Sequence, residues 1–218
     1  MNPTNKSTIK AIIFDLDGTL LDSSEIYLGA INHILSKFNT SCTMAEMMVH
    51  CGAPCVDIYT YFLKKQGVYD QSRKEELKKE FDAKFSGLLD GKDIFPEESK
   101  KILIELKKKG YILAMGTGAS KISIRAIVPK DILSLFDTIV SCDDISRPKP
   151  DPETFLKASE NIKTPPEKCI VIGDGRHDFV AAKEAGMRFI LLRNDHNKNF
   201  DINGGCEISA VAELSGML

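Results

Sequence analysis

Five short runs of apolar residues punctuate the chain: Ala11 to Phe14, Tyr111 to Gly116, Thr138 to Ser141, Cys169 to Ile172 and Phe189 to Leu192. Each is β-branched or aromatic in character and bounded by turn-forming residues, which predicts a strand buried on both faces. The segments between them carry helical spacing. Ser99 to Lys109 sets Ile102, Leu103 and Leu106 on one face, and Gly110 offers a left-handed stop. Asp151-Pro152 reads as a helix start leading into Phe155, Leu156 and Ser159. Val180, Ala181 and Ala185 mark another helix, which Gly186 ends. Alternating strand and helix predicts an α/β fold, a Rossmann-like parallel sheet covered on both faces.

One interval breaks the alternation. Residues 21–94 show no strand pattern; Ile26, Ala30, Ile31 and Ile34 mark a first helix there, and Leu77, Phe81, Phe85 and Leu88 a long last one. A strand-to-helix connection usually takes about 2–6 residues, so this stretch is expected to be an inserted α-helical cap. The predicted core is then 1–20 plus 95–218, with the cap at 21–94.

Composition narrows the setting. The 218 residues are 43% hydrophobic and 28% charged, with a formal net charge of -2. That is ordinary for a globular protein and points to neither nucleic acid nor an anionic membrane as a partner. Lysine clusters at 74–79 and 107–109 fall on amphipathic segments and read as solvated helix faces. No apolar run reaches the roughly 18 residues of a membrane span, and Met1 to Lys10 lacks the apolar centre of a secretory signal. Six cysteines (42, 51, 55, 142, 169 and 206) form no Cys-x-x-Cys pair, and the four histidines are dispersed, so no zinc-type cluster is visible. A reducing cytoplasm is expected; the oligomeric state stays open.

Ligands of a parallel sheet bind beyond the carboxyl ends of its strands. Those ends read Asp15-Leu16-Asp17-Gly18-Thr19, Thr117-Gly118-Ala119-Ser120, Arg147-Pro148-Lys149-Pro150-Asp151-Pro152 and Gly173-Asp174-Gly175-Arg176-His177-Asp178. Four nearby aspartates repel one another unless a cation sits among them, and hard oxygen ligands favour magnesium or calcium. A lysine and a threonine hydroxyl beside that cation suit a phosphate, and an aspartate can serve as nucleophile. Plainer roles exist for each piece: a turn at Asp17-Gly18, a surface loop at Lys149, a helix cap at Thr117, a first-turn acid at Asp178.

Together and in this order, the four segments resemble the four motifs of the haloacid dehalogenase superfamily. The insertion resembles the helical cap that its phosphoglycolate phosphatase-like branch carries between motifs one and two. The resemblance implies a Mg2+-dependent phosphatase acting on a small phosphorylated metabolite, of phosphoglycolate or sugar-phosphate type, through a phospho-aspartate. It assigns Asp15 as nucleophile and Asp17 as general acid and then base. It implies Mg2+ held by the Asp15 carboxylate, the Asp17 backbone carbonyl and Asp174, with Asp178 bound or one shell out. Thr117, the Gly118 amide and Lys149 would hold the phosphoryl oxygens.

Gly118 stands where the family often has asparagine, and Gly175 where it often has serine; neither change removes a charge. Dehalogenases and phosphonatases lack the second aspartate, so Asp17 argues against them. The alternative that keeps both acids is a sugar phosphomutase similar to β-phosphoglucomutase. Such enzymes carry a cap histidine and a cap-loop arginine, where Tyr27 and Cys55 stand here. More remote are a non-catalytic relative that binds a phosphometabolite and a dinucleotide enzyme. For the latter, Asp178 occupies the third glycine position of the fingerprint. Hinges are expected near Leu20 to Asp22 and Gly91 to Phe95. The glycine-proline break Cys51 to Cys55 is expected to face the substrate.

Overall fold

The structure, a computed structural model, describes residues 9–50, 53–89 and 91–218. Its centre is a six-stranded sheet: β1 (Ala11–Phe14), β2 (Ile112–Gly116), β3 (Thr138–Val140), β4 (Cys169–Gly173), β5 (Arg188–Leu192) and β6 (Cys206–Ile208). The spatial order is β3-β2-β1-β4-β5-β6 and every pairing is parallel. β1 therefore lies in the middle, with Ile13 registered against Ala114 on one side and Val171 on the other.

All four β1 residues are fully buried, and alternation divides them between two cores. Ile12 and Phe14 join Leu113, Met115, Ile170 and Ile172 on one face. Ala11 and Ile13 join Ala114, Cys169 and Val171 on the other. A sheet sandwiched in this way has continuous apolar strands, which is why the runs are visible in sequence.

Between β1 and β2 the chain forms α1 (Ser24–Ser36), α2 (Met44–Met48), α3 (Cys55–Lys65) and α4 (Lys74–Leu89) before α5 (Glu97–Lys108) leads into the sheet. In α1 the buried face is Tyr27, Ala30, Ile31, Ile34 and Leu35; in α4 it is Leu77, Phe81, Phe85 and Leu89, four residues apart. The two faces meet ring to ring, Tyr27 and Phe85 centroids lying 4.6 Å apart. Replacing fully buried Phe85 by alanine is worth about 3–5 kcal/mol. α4 also reaches past its own layer: the Lys78 ammonium lies 2.9 Å from Asp143, beyond β3.

The second half holds α6 (Lys121–Ile127), α7 (Lys130–Leu133), α8 (Glu153–Asn161), α9 (Arg176–Glu184) and α10 (Leu214–Met217). Several expectations shift. β6 was not predicted: it is three residues long, carries Glu207 at its centre and follows Gly204-Gly205, so no apolar run announces it. β2 begins after Tyr111, β3 ends before Ser141, and β4 and β5 each gain one residue. α5 starts at Glu97, directly after Pro96, rather than at Ser99. In α8, Phe155, Ala158 and Ser159 are buried, whereas Leu156, one position round the helix, is exposed. In α4 it is Leu89, not Leu88, that is fully enclosed.

Candidate active site

β1 ends by handing its ladder to Asp15, whose N–H donates to the Ile172 carbonyl at 2.9 Å. The chain then turns at Gly18, which has φ +85°. A Cβ there would sit 2.3 Å from Asp174 Oδ2, so only glycine lets the β1 turn approach the β4 end this closely. Gly173 makes the companion contact, where a Cβ would lie 2.8 Å from the Asp178 Cβ. The two glycines let four acidic positions crowd one sheet edge.

Asp15, Asp174 and Asp178 are brought together, with carboxylate oxygens within 4.8 Å of one another. Lys149 is not a surface residue: it is 3% exposed, and its ammonium donates to Asp15 at 2.7 Å and to Asp178 at 2.6 Å. A longer contact reaches the Gly116 carbonyl at 3.3 Å. Asp178 also accepts the Gly175 N–H at 3.0 Å, so its helix-start role and its ion pair coexist. Thr117 is buried and accepts the Ala119 N–H; the cap of α6 is Ser120 instead.

A cleft of about 290 Å³ opens over this edge. Asp15, Asp17, Thr117 and Gly118 line it, while Lys149, Asp174 and Asp178 are packed against Asp15 without lining it. Asp17 stands apart from the three-carboxylate group: its carboxylate accepts the Ser23 hydroxyl at 2.5 Å and the Tyr27 hydroxyl at 3.3 Å. Ala53 and Cys55, from the expected substrate-facing loop, line the cleft as well; Cys51 and Gly52 of that loop lie outside the described residues.

Burial shapes the protonation of these groups. It lifts the Asp17 carboxyl to about 6, against the pull of the Ser23 and Tyr27 hydrogen bonds. Burial, with Asp178 adding to it, lifts Asp174 to about 7. Asp15 is raised well above the usual carboxylate range, chiefly by burial; Lys149 opposes this and the neighbouring aspartates reinforce it. For Lys149, burial alone would lower the amine, but Asp15 and Asp178 outweigh it and hold the ammonium charged. The surplus of buried negative charge and the all-oxygen donor set fit a hard dication at Asp15, Asp174 and Asp178.

Sequence reasoning missed two asparagines just after β5. Asn194 donates to Asp174 Oδ2 at 2.8 Å, and Asn197 donates to the Asp174 carbonyl at 2.9 Å and the Leu192 carbonyl at 2.8 Å. Asn197 in turn accepts the Asn194 N–H at 3.0 Å. Both residues follow the carboxyl end of a predicted strand, the one sequence signal for them, but neither carries a charge to mark it out. Thr19, donating to Asp174 at 3.3 Å, completes the clamp.

The sequence is similar to those of known phosphatases. A pyrophosphatase PpaX of Bacillus velezensis is 27% identical over 190 residues, covering 83% of this chain and 81% of its own. A phosphoglycolate phosphatase of Colwellia psychrerythraea is 28% identical over 200 residues, covering 89% and 88%. The crystal structure of β-phosphoglucomutase from Clostridium difficile superposes with a TM-score of 0.81 at 20% identity, covering 94% of this chain and 93% of that one, a likeness of fold. The model of the haloacid dehalogenase-like hydrolases matches residues 12–192, the span that carries all four strand ends, and the chain belongs to that family.

Proposed function

We propose that the protein is a Mg2+-dependent phosphatase that hydrolyses a small phosphorylated metabolite through a phosphoryl group carried on Asp15. One observation carries the reading: Asp15, which lines the cleft, touches the Lys149 ammonium at 2.7 Å while Asp17, two residues on, holds a carboxyl lifted to about 6. The Lys149 ammonium favours the ionised form of Asp15 against the effect of burial, and Asp17 is poised to exchange a proton near neutrality.

In this mechanism an Asp15 oxygen attacks phosphorus and the bond to the leaving oxygen breaks. Asp17 gives its proton to that oxygen, so an alcohol departs rather than an alkoxide. Water then attacks the phosphoryl group, Asp17 takes a proton from it, and inorganic phosphate leaves with the Asp15 carboxylate restored. Thr117, the Gly118 amide and Lys149 stabilise the phosphoryl oxygens where charge accumulates. For Lys149 that role requires the ammonium to shift part of its contact from Asp15 and Asp178 towards the substrate. Asp15, Asp174, Asp178 and the Asp17 backbone carbonyl would hold Mg2+, which when bound neutralises charge on the phosphoryl oxygens. Residues 21–94 act as the cap that excludes water and selects the leaving group, over a core of 1–20 and 95–218.

A phosphomutase must seat a second phosphate. Tyr27 and Cys55, which stand where mutases carry histidine and arginine, both line the cleft, and the described lining contains no lysine or arginine. Water is therefore the favoured acceptor. The test is p-nitrophenyl phosphate turnover by the full chain with and without Mg2+, alongside Asp15→Asn, and mass spectrometry of the Asp15 peptide for a phosphoryl adduct. Turnover that survives Asp15→Asn sinks the reading.

A further inference from the structure

We infer that the leaving group of the substrate is an uncharged alcohol with an apolar flank, and that alcohols bearing a carboxylate or a second phosphate are discriminated against. This rests on the phosphatase reading above and specifies the substrate class of the same cleft. The observation is a cleft lining that joins apolar side chains to carboxylates and holds no lysine or arginine among the described residues.

The helical insertion lines the cleft with Tyr27, Met47, Met48, Ala53, Cys55 and Ile58, and its first residues add Asp22, Ser23 and Ser24. The Tyr27 hydroxyl is directed to Asp17, so at Met47, Met48, Ala53 and Ile58 a substrate meets apolar surface with soft, adaptable methionines.

The formal charges of the lining beyond Asp15 and Asp17 are negative: Asp22 at the start of the insertion, and Asp195 beside Asn194 and His196 after β5. Asp22 is satisfied locally, accepting the Ser24 N–H at 3.0 Å and the Ser24 hydroxyl at 2.5 Å. The Asp195 carboxylate is held below its usual range by Lys198, whose ammonium lies 2.8 Å away without lining the cleft. Lys149 does not line the cleft and is held by Asp15 and Asp178, where the phosphatase reading assigns it to the transferring phosphoryl group rather than to the leaving group.

An anionic leaving group thus finds no lysine or arginine among the described lining residues, and meets two carboxylates in addition to Asp15 and Asp17. Recognition of a carboxylate or phosphate ordinarily uses a bidentate arginine or a lysine, and an unpaired anion in a partly desolvated site is disfavoured. A neutral alcohol meets neither penalty. Its hydroxyls can donate to Asp22 and Asp195 while its carbon skeleton lies on Met47, Met48 and Ile58. At about 290 Å³ the cleft is near the lower end of small-molecule sites, which suits a short alcohol rather than a nucleoside.

The experiment compares kcat/KM of the full chain, in Mg2+, for glycerol phosphate and sugar-alcohol monophosphates against phosphoglycolate, inorganic pyrophosphate and a hexose bisphosphate. The neutral series is expected to exceed every anionic member by at least about tenfold. Met48→Lys, which puts an ammonium among the apolar side chains, is expected to raise phosphoglycolate turnover relative to glycerol phosphate by about the same factor. Cys55→Arg serves the same purpose if Met48→Lys does not fold. Asp15-dependent hydrolysis that prefers phosphoglycolate, pyrophosphate or the bisphosphate overturns the inference and leaves the phosphatase reading standing. So does a substrate ratio unmoved by the new cation. Failure of every compound to turn over removes the phosphatase reading, and this inference with it.

Discussion

The Lys149 ammonium bridges Asp15 and Asp178, 2.7 Å from one carboxylate and 2.6 Å from the other, with all three side chains withdrawn from solvent. Three separate stretches of chain are pinned at one point by a single cation. Removing that cation strands buried charge. Lys149→Met is therefore expected to cost about 3–5 kcal/mol of folding stability in metal-free buffer. Mg2+ is expected to restore part of the loss, because a dication compensates the same carboxylates. Urea denaturation of both proteins with and without Mg2+ measures this; equal stability of the two metal-free proteins would contradict the account.

Asn194 holds Asp174 from the side away from the sheet centre. Its amide donates to Asp174 Oδ2 at 2.8 Å, and its own backbone is positioned by Asn197. Groups that orient a metal ligand usually contribute about 10–100-fold to metal affinity. Asn194→Ala is expected to weaken Mg2+ binding within that range and to lower the metal-free melting temperature by a few degrees, since the side chain also donates to the Gly18 carbonyl and accepts the His196 and Asn197 N–H groups. Calorimetric titration of Mg2+ reads the first and a thermal melt the second.

Proton linkage gives a third expectation. Asp174 rises from 3.8 to about 7 on folding, and Asp15 is raised with it. An acid with a raised folded pKa binds more protons in the folded state than in the unfolded one. The metal-free fold is thus expected to lose stability as pH climbs from about 4 to about 7. Mg2+ must displace those protons, so its apparent affinity should rise over the same window by about tenfold per pH unit for each proton released. Titrations in buffers of different ionisation enthalpy count the protons; a pH-independent affinity between 5.5 and 7 would contradict the shared site.

The strand runs and the four strand-end motifs could be read in advance because a centrally placed parallel strand must be apolar on both faces and must end in polar chemistry. Ile12 to Phe14 followed by Asp15 shows both demands in four letters. Lys149 was harder to place. A lysine between two prolines gives no sign locally of whether it points outward, and its burial is decided by Asp15 and Asp178, far away in sequence. β6 escaped because an edge strand three residues long needs no apolar run. Asn194 and Asn197 escaped for a different reason: they carry no charge, and their role appears only where β5 ends beside β4. Ser23, just before α1, and Tyr27, about one turn into it, likewise gain meaning only when α1 lies against the β1 turn.

Those two residues set up the sharpest test of the general acid. Asp17 reaches only about 6, because the Ser23 and Tyr27 hydroxyls both stabilise its ionised form against burial. Ser23→Ala removes the stronger of the two donors, and an ionised carboxylate that loses a hydrogen bond becomes a weaker acid. A charged-group hydrogen bond contributes about 1.5 kcal/mol or more, so the proton is held to a pH about one unit higher. The protonated form of Asp17 is the one that serves an alkyl leaving group, so the alkaline limb of kcat/KM for glycerol phosphate should move upward by that amount. Tyr27→Phe should move it the same way and less, its contact being 3.3 Å against 2.5 Å for Ser23. p-Nitrophenyl phosphate, whose leaving group needs little protonation, should show a smaller displacement in both variants. A limb that stays in place for glycerol phosphate, or moves towards acid, would show that Asp17 is not the group that protonates the leaving oxygen.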